Sequence, residues 1–314
     1  MKKAALLLGT ILAVGSSAYA KEVLPVVEEV QETIIVAEVT PQPQPLFKSV
    51  TVGQSLEIDN TSGGKNIGED VIFMNTVDLD TENWDFTIGA GKVFSSDTHS
   101  SNGGLYDRGS SRLELQAIRN FDNWFLGAKV RSQSEYDRWY LRTGYDYDMF
   151  SGWMDAQYFS MSEGKEDYIQ VEVMPLNIKF GPIKTGYYLN YKDYRGDGQK
   201  DTTGLLRRSY DHQLRAYAPL YNGDKLDLSL EYRLGLHNSA NYKDKAAGVG
   251  YKAYKDFEYN ALILNASYNF TEAFDVYGYY RYDINRFEGK DGKITNADDQ
   301  RYYGEFQIGW SYTF

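Results

Sequence analysis

Along most of this chain, apolar side chains recur at every second position. From Tyr302 to the end, the even positions read Tyr302, Gly304, Phe306, Ile308, Trp310, Tyr312 and Phe314, and the odd ones Arg301, Tyr303, Glu305, Gln307, Gly309, Ser311 and Thr313. A period of two with one apolar and one polar face predicts a β-strand whose faces meet different surroundings. The same pattern returns in Val50–Ile58, Val71–Leu79, Trp84–Ala90, Leu113–Ala117, Trp124–Val130, Trp139–Tyr147 and Met154–Tyr158. It continues in Ile169–Val173, Ile183–Tyr191, Leu214–Ala218, Leu226–Leu236, Leu262–Phe270 and Phe274–Ile284. With the terminal segment this predicts about 14 strands.

The connections sort by length. Asp80–Asn83, Asn120–Asn123, Pro175–Asn177, Tyr221–Asp224 and Thr271–Ala273 are short. Asn60–Glu69, Ser95–Ser110, Lys192–Leu206, His237–Lys255 and Arg286–Gln300 are long. Alternating short turns and long loops, strands that alternate apolar-out with polar-in, and an apolar terminal strand ending on Phe314 predict an all-β transmembrane antiparallel β-barrel. Two connections, Ser134–Tyr136 and Ser162–Lys165, are short where a long one is expected, and without them the count falls to 12. Gly181-Pro182 reads as a bulge or strand start.

Composition sharpens this. Tyr contributes 28 residues and aromatics 15% of the chain although mean hydropathy is only −0.53, a balance suited to aromatic girdles on otherwise alternating strands. Lys2 and Lys3, the apolar run Ala4–Val14 and Ala18-Tyr19-Ala20 have the layout of a signal peptide over 1–20, which implies export and a bacterial outer-membrane location. Residues 21–47 end in Pro41-Gln42-Pro43-Gln44-Pro45 and read as a Pro-rich periplasmic extension, with the barrel over 48–314. The formal charge of −11 becomes −13 without Lys2 and Lys3, which disfavours a nucleic-acid partner, and with no cysteine there is neither disulfide framework nor thiolate metal site. No cofactor or metal is expected.

The polar face carries the candidate chemistry: Arg112, Glu114, Lys129, Arg131, Arg138, Arg142, Arg207, Arg215, Glu231, Arg233, Arg281 and Glu305 all have inward parity, as do Asp155, Asp211 and Asp283. About 14 strands enclose a lumen between the packed interior of eight and the water channel of 16, so these side chains are expected to line a narrow open pore. The same residues could instead cross-link a closed lumen through ion pairs. Arg112, Lys129, Arg131, Arg138 and Arg142 fall on three consecutive strands and predict a basic wall with a mild preference for anions.

Gln213-Leu214-Arg215-Ala216-Tyr217-Ala218-Pro219-Leu220, the Asn269-Phe270 turn and the ending Tyr303–Phe314 resemble the outer membrane protein G family of 14-strand porins. The resemblance implies a monomeric, weakly selective channel for sugars, ions and other small hydrophilic solutes, seated in outer-membrane lipid and lipopolysaccharide, and not an enzyme. It also implies a gate at the mouth, with His237–Lys255 as the counterpart of the gating loop. Where the family carries two facing histidines, gapless alignment places Phe257 and Phe287, which cannot titrate, and leaves His237 as a lone titratable group in the loop.

Two other readings compete. His99-Ser100-Ser101-Asn102-Gly103 resembles the motif of outer-membrane phospholipase, but Ser110-Ser111-Arg112-Leu113 offers no Asn to orient the imidazole. An adhesin using Arg195-Gly196-Asp197 rests on a tripeptide in a polar loop. Asp291, Asn296, Asp298 and Asp299 lack the spacing of a calcium loop.

Overall fold

A computed structural model describes residues 46–59, 70–95, 108–162, 164–196, 198–200, 205–243, 253–288, 294–295 and 302–314. They form fourteen long strands: β1 Ser49–Asp59, β2 Asp70–Asp80, β3 Trp84–Ser95, β4 Arg108–Asn120, β5 Trp124–Gln133, β6 Tyr136–Tyr147, β7 Phe150–Met161, β8 Tyr168–Phe180, β9 Ile183–Tyr194, β10 Leu205–Asn222, β11 Leu226–Lys243, β12 Ala253–Asn269, β13 Phe274–Glu288 and β14 Tyr302–Thr313. Two two-residue ladders, Gln199–Lys200 and Ile294–Thr295, extend the edges of β10 and β13. Each strand pairs antiparallel with its sequence neighbours, and β1 pairs with β14 from Thr51↔Thr313 to Asp59↔Glu305. The sheet therefore closes on itself and, among the described residues, leaves no long edge with unpaired backbone groups, the condition for crossing a bilayer with strands.

One end of the barrel carries only short turns, at 81–83, 121–123, 148–149, 181–182, 223–225 and 270–273, and the start of β1 and end of β14 lie at that end. The connection 134–135 is a genuine tight hairpin at the opposite end, so the count is 14 and not 12. One turn assignment is corrected. Pro175 lies inside β8, where the register slips between Val173 and Leu176, and the reversal falls at Gly181-Pro182, with Gly181 at φ 57°. A proline has no N–H for the ladder and is accommodated at such an irregularity. Asp148 at φ 49° makes the tight turn between β6 and β7, a left-handed conformation that Asp tolerates better than most residues.

The two faces of the sheet differ as the alternation requires. Outward Leu115, Leu141, Leu262 and Ile308 are 46%, 52%, 49% and 45% exposed, whereas inward Gln157 and Asp283 are each 2% exposed. Rings collect near both ends of the outer surface: Phe121 stacks on Trp124 at 3.9 Å and Tyr312 meets Phe314 at 4.9 Å by the short turns. At the other end Trp139 lies 5.9 Å from Tyr158 and Tyr191 4.9 Å from Tyr210. An apolar band between two aromatic girdles is the surface a bilayer selects.

One inward patch is apolar. Ile72, Met74 and Val93 cluster on β2 and β3, and a Cβ on Gly91 would lie 2.1 Å from the Phe73 carbonyl and 2.5 Å from the Met74 sulfur. Gly91→Ala should therefore destabilise the barrel by about 1–3 kcal/mol, the usual cost of over-packing, measured as a lower urea midpoint in vesicles. An unchanged midpoint would mean that β2 and β3 separate freely at this level.

Candidate functional site

The lumen wall is built by strand pairing that sets charges of opposite sign side by side. On β4 and β5, Glu114 lies across from Arg131, accepts a bond from its Nε at 2.5 Å and also pairs with Lys129. Arg142 of β6 reaches Asp155 of β7 at 3.0 and 3.2 Å and donates to Gln116 at 2.6 Å. Arg112 donates to Gln133 at 3.0 Å. Arg138 bonds Gln157, which donates to Glu172, and its guanidinium sits 4.4 Å from the Tyr140 ring and 4.3 Å from Phe159.

The opposite arc repeats the scheme. Arg215 lies 3.4 Å from the ring of Tyr188, donates to Gln213 at 2.9 Å and approaches Glu231 at 3.9 Å, while Arg233 holds Glu231 at 2.5 Å. Arg281 forks onto Asp283 at 2.6 and 2.8 Å and bonds Glu305 at 3.2 Å. Tyr279 ties Glu305 to Glu57, and Gln307 also donates to Glu57 at 3.3 Å. Such side chains are tolerable inside a barrel because opposite charges and water solvate them.

Lumen-facing residues of β7 to β13, among them Trp153, Glu172, Tyr188, Arg215, Arg233 and Asp283, line a space of about 500 Å³. The basic wall foreseen on β4–β6 is thus interleaved with carboxylates and amides. Strand parity had shown the cations; their partners depend on the register across strands that are distant in sequence.

The foreseen gate residues are placed differently. β12 and β13 pair at Tyr254↔Phe287 and Tyr259↔Asn285, so the register slips by several residues between them. Phe257 lies in this bulge, at φ 61° and 63% exposed, and Phe287 pairs with Tyr254. The gapless alignment therefore does not put the two phenylalanines opposite each other. His237 is neither in a loop nor alone: β11 runs on to Lys243, and a bulge between His212 and Gln213 pairs His237 with His212. The two rings are 6.0 Å apart, with His237 Nδ1 2.7 Å from Asp256 and His212 Nδ1 2.5 Å from the Tyr187 hydroxyl. Tyr187 belongs to the outward face, so this pair stands on the outer wall. Arg207 extends to the Gly196 carbonyl at 2.8 Å in the β9–β10 connection. His99, Ser101, Asp197, Asp291, residues 244–252, 289–293 and 1–45 lie outside the described residues.

A closed all-β barrel with an apolar outer band, two aromatic girdles and a charged lumen is a transmembrane barrel of the bacterial outer membrane. No protein-family model matches the chain, and no curated protein matches it. Among solved structures, a bacterial polysaccharide outer-membrane secretin is 11% identical over 85% of this chain and 97% of its own, with a TM-score of 0.49. Outer-membrane-expressed OmpT of Vibrio cholerae is 13% identical over 85% and 97%, with a TM-score of 0.42. A monoaromatic hydrocarbon channel, CymD, is 10% identical over 84% and 88%, with a TM-score of 0.45. At these scores the likeness adds nothing to what the barrel's own geometry establishes.

Proposed function

We propose that the protein is a porin: a passive, weakly selective diffusion channel for small hydrophilic solutes such as sugars and ions, delivered to the outer membrane by the signal peptide over 1–20. The observation that carries this reading is the charge-compensated lumen wall. Arg131, Arg142, Arg233 and Arg281 each have a carboxylate within 3.2 Å, so much of the positive charge is offset locally, while Glu114 serves Lys129 as well as Arg131 and Arg112 meets the Gln133 amide. A wall of this kind is wetted by water, repels apolar solutes and discriminates weakly between cations and anions. Fourteen strands supply a circumference intermediate between a filled barrel and a wide porin.

Liposomes containing the protein should swell in isotonic monosaccharide, more slowly in disaccharide and hardly at all in larger oligosaccharides. Permeation independent of solute size, or none at all with a folded barrel, would overturn the reading. The His99–Ser101 pair lies outside the described residues and carries no second proposal.

A further inference from the structure

On the lipid-facing surface two amides stand side by side on neighbouring strands. Gln54 is the sixth of eleven residues in β1 and Asn75 the sixth of eleven in β2, and the two are direct cross-strand partners. Both have outward parity: Val52 and Leu56 flank Gln54 on its face, and exposed Phe73 and half-buried Val77 flank Asn75. Gln54 Nε2 donates to Asn75 Oδ1 at 2.8 Å, Trp310 Nε1 donates to Gln54 Oε1 at 3.2 Å, and Asn75 Nδ2 donates to the Ala90 carbonyl at 3.2 Å. Each primary amide has two N–H groups. One N–H on Gln54 and one on Asn75 therefore have no acceptor among the described residues, at mid-height of the apolar band.

In hydrocarbon no water can accept these hydrogens, and lipid headgroups lie at the interfaces. Thr143 and Thr185, on other outward faces, carry one hydrogen each and give it to the carbonyls of Phe125 and Arg215. The amide row is different: it keeps two donors, and each amide oxygen keeps a lone pair for a second bond.

We propose that, in place of the monomer the family resemblance implies, the β14–β1–β2–β3 face is a self-association surface on which a second copy of this chain docks. The partner must offer hydrogen-bond acceptors and donors together, at mid-membrane depth, on an otherwise apolar surface. Another copy meets all three conditions. Two copies inserted in the same direction are related by an axis along the membrane normal, which preserves depth, so each amide row meets its own counterpart at the same height. A two-fold axis makes the contact isologous: the amide N–H of one copy meets the amide oxygen of the other, and the reverse. Ala90, next to Asn75 in the row, leaves room for close approach, as small residues do between membrane segments. A three-fold ring would need two different faces, and only one carries the row among the described residues.

The chain has no cysteine, so Asp122→Cys in a short turn provides a single dye site. Labelled protein at low density in supported phospholipid bilayers should bleach mainly in two steps. Gln54→Leu with Asn75→Leu should cut the two-step fraction about tenfold, the scale of one amide contact between membrane segments. Circular dichroism and protease resistance of the bilayer-inserted variant show whether it has folded. Val171→Ala with Leu189→Ala, outward on β8 and β9, should leave the two-step fraction unchanged. One-step bleaching of the parent, three-step bleaching, or a two-step fraction indifferent to loss of both amides would each overturn the proposal.

Discussion

Glu114→Gln should make the channel anion-selective. Glu114 compensates both Lys129 and Arg131, and its side chain is only 13% exposed. The substitution keeps the shape and removes the charge, leaving two adjacent cations on the lumen wall. An uncompensated unit charge ~8 Å from a permeating ion contributes about 0.5 kcal/mol in water, opposite in sign for cations and anions. The permeability ratio should therefore shift roughly fivefold toward anions for each net charge that faces the ion path. Reversal potentials across a salt gradient near 0.1 M check this. The shift should collapse near 1 M, where the Debye length is ~3 Å. An unchanged reversal potential at low salt would show that ions do not pass this part of the wall.

Arg281→Met should be the most destabilising single replacement in the lumen. Asp283 is almost fully buried, and Arg281 supplies both of its short hydrogen bonds as well as the link to Glu305. Removing one member of a buried pair leaves a charge without water or counter-ion and costs about 3–5 kcal/mol. Replacing both, Arg281→Met with Asp283→Leu, should recover most of that loss, because neither buried charge remains. Urea unfolding in vesicles distinguishes the cases. Equal midpoints for the single and double variants would mean that water reaches Asp283 and already solvates it.

The fourteen strands were legible because the side-chain period of two is dictated by a sheet with lipid on one side and water on the other. Leu113, Leu115 and Ala117 against Arg112, Glu114 and Gln116 display both environments within six residues. The irregularities were not legible. The slip between Val173 and Leu176 hides a proline inside a strand, and the bulge at His212–Gln213 reverses the parity of β11 beyond Gly235. One extra residue moves every later side chain to the other face, and local sequence does not mark where it is inserted. The apolar alternation alone therefore joins Leu236 to Leu234 and ends the strand before His237, which in fact pairs with His212. The compensation of the basic wall was also invisible, since pairs such as Glu114–Arg131 and Arg142–Gln116 follow from cross-strand register.

The charge-lined lumen should form a continuous water path through the membrane. Single-channel recording of the purified protein in planar bilayers tests it directly. Discrete current steps are expected, nearly symmetric in voltage, with conductance rising roughly in proportion to salt between about 0.1 M and 1 M because mobile bulk ions carry the current. Folded, bilayer-inserted protein that gives no steps, or steps whose conductance saturates at low salt, would contradict it.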